Sequence, residues 1–103
     1  MKKLLILFII LIPNTSFSNE KFVNYLKEGK KIIFMRHALA PGTADPKNFN
    51  INDCLTQRNL NEEGRSQSKR IGNFFKNKNI RIDKVLSSEW CRCKDTANIA
   101  FGN

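Results

Sequence analysis

Acidic residues are scarce in this chain of 103 residues: nine Asp and Glu stand against 18 Lys and Arg, for a formal net charge of +9. A surplus of that size suits a phosphorylated or otherwise anionic partner without choosing among them. Cysteine occurs three times, too few for a small fold built on disulfides. There is one Trp and one Tyr, the basic residues are scattered, and no nucleic-acid-binding motif is present, so the charge alone does not make a nucleic-acid binder. Histidine occurs once, as His37. A hydrophobic fraction of 41% and a charged fraction of 26% exclude a collagen-like or low-complexity chain. The length allows one domain at most.

A hydrophobic run long enough to span a membrane is also missing. Leu4–Ile12 is unbroken and apolar, but as a helix it covers roughly 14 Å, about half a bilayer core. Lys2 and Lys3 precede it, Pro13 ends it, and Asn14-Thr15-Ser16 follow. This is the pattern of a secretory signal peptide over residues 1–18, with Ser16 and Ser18 as the small residues at −3 and −1 of a cut before Asn19. No cysteine lies near that cut, so neither a lipid anchor nor a lasting membrane anchor is expected. The expected location is periplasmic or extracellular. Export places the cysteines in an oxidising compartment. An odd number permits one intramolecular disulfide at most. Cys91 and Cys93 are too close in the chain to pair comfortably, which leaves Cys54 with either of them. A zinc site is disfavoured, because one Cys-x-Cys, one distant Cys and one His lack a known zinc spacing.

The mature domain, residues 19–103, reads as alternating elements. Glu20 to Glu28 predicts a short helix with Phe22, Val23 and Leu26 on one side and Gly29 as its stop. Lys31-Ile32-Ile33-Phe34-Met35-Arg36 lacks alternation and predicts a strand buried on both faces. Ala38 to Leu60 has no periodicity and reads as a long functional loop. Asn61 is a natural N-cap, followed by Glu62 and Glu63, for a helix to about Lys78. Lys84 to Ser87 predicts a second short buried strand. Ser88 is placed to cap a last helix from Glu89, with Cys93, Ala97, Ala100 and Phe101 on its inner face. Strand, helix, strand, helix in this order predicts a parallel α/β sheet.

Chemistry concentrates at the ends of the two predicted strands. Arg36-His37 follows the first; Ser87-Ser88 ends the second, with Arg92 in the next helix's first turn. In parallel α/β sheets ligands bind beyond the carboxyl ends of strands. Neighbouring strands would bring Arg36, His37 and Arg92 together, and two guanidiniums beside a helix N-terminus suit a phosphate dianion. A neutral histidine nitrogen there can attack phosphorus. Singly, each residue has a plainer reading: a hydrogen-bonded structural histidine, a solvated arginine, a Glu89 that complements the helix dipole.

Three blocks together are more specific. Phe34-Met35-Arg36-His37-Ala38, then Leu60-Asn61-Glu62-Glu63-Gly64-Arg65-Ser66-Gln67-Ser68, then the segment from Val85-Leu86-Ser87-Ser88 through Arg92 to Thr96-Ala97 follow in order. This resembles the histidine phosphatase superfamily, the phosphoglycerate mutase-like proteins, over about Ile32 to Phe101. The resemblance implies a Rossmann-like three-layer α/β fold with a parallel sheet, of which this chain holds the N-terminal part. It implies His37 as the nucleophile that becomes phosphohistidine, with Arg36 and Arg92 holding the phosphoryl oxygens. It implies no metal or other cofactor, and a small phosphorylated substrate or a phosphoprotein as partner. Ala38-Leu39-Ala40-Pro41-Gly42 departs from the mutase continuation and favours a phosphatase. The family's second active-site histidine and its acidic proton donor have no counterpart, so the expectation is a fragment. Asp45, Asp53 and Glu89 are the nearby carboxyl groups for protonating a leaving group. A phosphate-binding module without turnover would use the same three residues.

Overall fold

The computed structural model describes residues 17–102. The apolar run and the signal peptide read from it lie outside the described residues, apart from the backbone of Phe17 and Ser18. Helix α1 spans Phe17–Lys27, with Glu20 in its first turn and Lys27 in its last, both complementing the helix dipole. It starts before the expected Glu20. Val23 and Leu26, three apart, share a face and bury it against Ile80, with Phe75 and Ile82 packed on the same cluster. Phe22, expected on that face, is exposed instead. After Gly29 the chain is tied back to α1 by Lys31. Its Nζ lies 3.3 Å from Glu28 Oε2 and 4.2 Å from the centre of the Tyr25 ring.

Helix α2 spans Glu62–Asn77 and begins as its sequence dictates: Asn61 Oδ1 accepts the Gly64 N–H at 2.8 Å, and Glu62 and Glu63 occupy the first turn. It ends through Asn79 at φ +54, and the Ile80 N–H returns to the Phe75 carbonyl. Helix α3 spans Cys91–Phe101 and starts later than expected. Ser88 does not cap it. The Cys91 N–H is accepted at 3.0 Å by Gln57 Oε1, a side chain 34 residues earlier. Cys91 is also joined by a disulfide to Cys54, in the 3-10 turn Cys54–Thr56. Cys93 stays free.

Helices α2 and α3 pack on one another through absent side chains. A Cβ at Gly72 would run into the Ala100 backbone, and one at Gly64 into the Leu39 carbonyl. Phe75 and Phe101 meet edge to face with ring centres 5.2 Å apart. A second small core, Ala38, Ala40 and Leu60 with Ile99 against it, sits where the segment after His37 crosses the helix pair.

The parallel sheet is not formed. Among the described residues the only β-pairing is one isolated bridge, Asn50 with Asp53. Residues 31–36 and 81–88 were expected to hold buried strands. Neither makes a backbone hydrogen bond to another described residue. A strand exists only as part of a ladder, so an apolar run with no partner is left irregular. Its side chains are correspondingly open: Phe34 is 94% exposed, Ile32 82% and Leu86 80%. The described fold is therefore helical, with two irregular apolar segments beside a helix pair.

The α2–α3 contact makes a direct prediction. Gly72→Ala gains about 1 kcal/mol in helix propensity. The added methyl meets backbone that cannot rotate away, so the net effect is a loss of about 1–3 kcal/mol. A lower urea midpoint at unchanged slope is the expected result; an unchanged or raised midpoint contradicts the packing.

Candidate functional site

The two irregular segments line one cleft of about 620 Å³, closed at its base by Phe75 and by the Cys93, Thr96, Ala97 and Phe101 face of α3. Its lining is apolar along most of its length. Arg36, His37, Ser87 and Ser88 are among its polar lining residues.

His37 is half-buried and its orientation is set by its neighbour. Nδ1 lies 2.7 Å from the Ala38 carbonyl oxygen. A carbonyl can only accept, so Nδ1 carries the hydrogen and donates. In the neutral ring the lone pair then sits on Nε2. Ala38 is itself held: its N–H donates to Thr96 Oγ1 at 3.0 Å, and that hydroxyl donates to the Arg92 carbonyl at 2.7 Å. Leu39 N–H donates to Gln67 Oε1 at 2.9 Å. The backbone that carries His37 is thus pinned to α3 through Thr96 and to α2 through Gln67. Gly64 lets the chain lie directly on α2.

Arg36 is exposed and makes no ion pair with another described residue. Arg92 is different. Only 8% of it is exposed. Its guanidinium lies 4.4 Å from the centre of the Trp90 ring. Nη1 donates to Asp45 Oδ1 at 3.0 Å and Oδ2 at 3.2 Å, with the Arg58 carbonyl 3.4 Å away. Nε is buried with no partner. The cleft brings Arg36 and His37 together. Arg92 starts one helical turn before Thr96 but is directed at Asp45, and it does not line the cleft.

The long loop explains this direction. Asp45 Oδ1 also accepts the Arg58 N–H at 2.8 Å, and Arg58 donates to the Ala40 and Gly42 carbonyls. Phe49 packs on Trp90 with ring centres 4.8 Å apart. Gln57 is buried, donating to the Asn50 and Ile51 carbonyls while it caps α3. Gln57 and Arg58 therefore hold the loop. In the sequence Gln67 and Thr96 stand only as members of the motif blocks, without a role of their own. The spacing of Thr96 four residues after Arg92 was the available signal, since that puts both on one helix face.

Burial alone would raise the Asp45 pKa. The Arg58 N–H and the guanidiniums of Arg92 and Arg58 outweigh it and hold the carboxyl below its ordinary value near 3.8. An ionised carboxylate cannot donate a proton, so Asp45 is no general acid. Asp53 caps the 3-10 turn by accepting the Leu55 N–H at 3.1 Å. Glu89 is exposed. No group of three or more His, Cys, Asp or Glu among the described residues is arranged to hold a metal ion. No described helix is long and apolar enough to cross a membrane.

The sequence model of the histidine phosphatase superfamily (branch 1) matches residues 32–103. The match begins at the segment that carries Arg36-His37 and runs through the end of α3. The chain belongs to that superfamily. No curated protein and no solved structure matches it.

The Asp45 environment predicts a pH dependence. A folded-state pKa below the unfolded one gives stability that is complete above the unfolded value and lost as pH falls through the folded value. Asp45→Asn should therefore lower stability by a constant amount above about pH 5. The gap to the unsubstituted protein should close as the pH drops below the ordinary carboxylate range. Thermal melts from pH 7 to pH 2 measure it, and a gap that widens in acid contradicts the ion pair.

Proposed function

We propose that the protein is an exported phosphatase that hydrolyses a phosphate monoester through a phosphohistidine on His37. The observation that carries the reading is the His37 ring itself. With Nδ1–H committed to the Ala38 carbonyl, the neutral ring offers its lone pair at Nε2. Membership of the superfamily supports phosphoryl chemistry at this residue.

In this reading Nε2 attacks the phosphorus in line. The bond from phosphorus to the ester oxygen breaks, and the alcohol leaves with a proton taken from solvent. Water then attacks the phosphohistidine, returning the imidazole and releasing inorganic phosphate. Arg36 and Arg92 hold the non-bridging oxygens, where bidentate guanidinium contacts offset the developing charge. The exposed Arg36 is available for this as it stands. Arg92 must exchange its Asp45 partner for the substrate. The partner is a small phosphorylated molecule or a phosphoprotein, and no metal or organic cofactor enters the scheme.

Two features support export. Lys2 and Lys3 before the Leu4–Ile12 run form a leader, and the Cys54–Cys91 disulfide suits an oxidising compartment. A second reading is a phosphate-binding module without turnover. It is favoured by the engagement of Arg92 with Asp45, and by the position of Asp45, Asp53 and Glu89, none of which lines the cleft.

The test is to mix the protein with a ³²P-labelled aryl phosphate and quench in alkali. Acid-labile label on the chain, lost in His37→Ala, is the expected result. Turnover that survives His37→Ala sinks the phosphohistidine route. Phosphate binding with neither label nor turnover supports the module instead.

A further inference from the structure

The long loop has a role beyond ordering its own backbone. Two groups of the loop, the Asp45 carboxylate and the Arg58 carbonyl, join the Trp90 ring face at the start of α3 in a three-sided holder for Arg92. The holder is rigid for chemical reasons. Cys54 fixes the loop covalently to Cys91, the residue before Arg92. Gln57 caps that same Cys91 N–H and gathers the Asn50 and Ile51 carbonyls. Asp45 is itself positioned by the Arg58 N–H.

We propose that Asp45 is a positioning residue that competes with the phosphoryl group for the Arg92 guanidinium, so that the loop sets how tightly the site takes phosphate. This rests on the reading of Arg36, His37 and Arg92 as a phosphate site. A carboxylate and a phosphate dianion are both bidentate acceptors for the same guanidinium fork. Arg92 leaves α3 one turn from Thr96, whose hydroxyl holds Ala38 beside His37. To take the phosphoryl group, the Arg92 side chain must leave the loop for the side of His37 by a change of rotamer, with the helix in place. Its buried Nε–H has no partner in the paired state, so that state leaves one donor unsatisfied. Asp45 therefore weakens resting affinity and keeps Arg92 folded and ordered until an anion displaces it.

Inorganic phosphate is the probe, titrated by calorimetry into the full chain, Asp45→Asn, Arg92→Ala and the double variant. Asp45→Asn should bind phosphate about tenfold more tightly, the scale of one charged hydrogen bond. The double variant should bind like Arg92→Ala, because the gain passes through Arg92. A second measurement needs no substitution: saturating phosphate should shift the Asp45 carboxyl ¹³C and Arg92 guanidinium ¹⁵N signals together. It decides the matter if Asp45→Asn fails to fold. Affinity unchanged or weaker in folded Asp45→Asn overturns the proposal, as does a gain that persists without Arg92, which is bulk electrostatics. An Asp45 signal unmoved at saturation overturns it too. If no form of the protein binds phosphate, the phosphatase reading itself fails, and this proposal with it.

Discussion

The covalent and hydrogen-bonded junction at the start of α3 is the constraint on which the described structure depends. Cys91 opens the helix, bonds to Cys54 and gives its N–H to Gln57. An irregular segment of more than twenty residues carries a large conformational entropy. The Cys54–Cys91 crosslink closes the 37-residue stretch that contains α2, which removes about 4 kcal/mol of freedom from the unfolded chain in the chain-entropy view, and it ties the end of the irregular segment to α3. Several polar groups of the loop are arranged around the junction: Asp53 on the 3-10 turn, Asn59 on the Cys54 carbonyl, Asp45 on Arg58 and Arg92. The loop is ordered because its backbone groups are answered by its own side chains.

From that junction the position of His37 follows. α3 is held against α2 where Gly72 removes a side chain, and Thr96 on α3 then meets the Ala38 N–H. The chain after His37 lies on the first turn of α2 because Gly64 has no Cβ. The imidazole is directed by a backbone carbonyl one residue away, a contact that holds as long as Ala38 is held. Stability and chemistry are coupled here through the backbone rather than through a shared side-chain network.

The helices were largely legible in the sequence, because their signals are local. Asn61 with Glu62 and Glu63 marks a helix start whatever surrounds it, and α2 begins there. The strands were not legible as structure. Ile32-Ile33-Phe34 and Val85-Leu86 have strand composition, yet composition expresses a preference and a strand needs a partner. The cap of α3 was misplaced for a related reason: Ser88 is the right residue type nearby, while the group that answers the Cys91 N–H is Gln57, far off in sequence. The order of the Arg36-His37, Gly64 and Arg92 blocks carried the family, and residues 32–103 match it.

What the sequence determined by itself was the basic balance, the helix starts, the pair of possible disulfides and the superfamily. Each is a property of residue types and their order. Packing settles that Cys91 and not Cys93 takes Cys54. It also settles that Asp45 holds Arg92, that Nδ1 of His37 is spent on Ala38, and that the two apolar runs lie unpaired. These are choices among partners distant in the chain. They turn on which groups the packing of α2 and α3 brings within hydrogen-bond reach, and no local pattern records that.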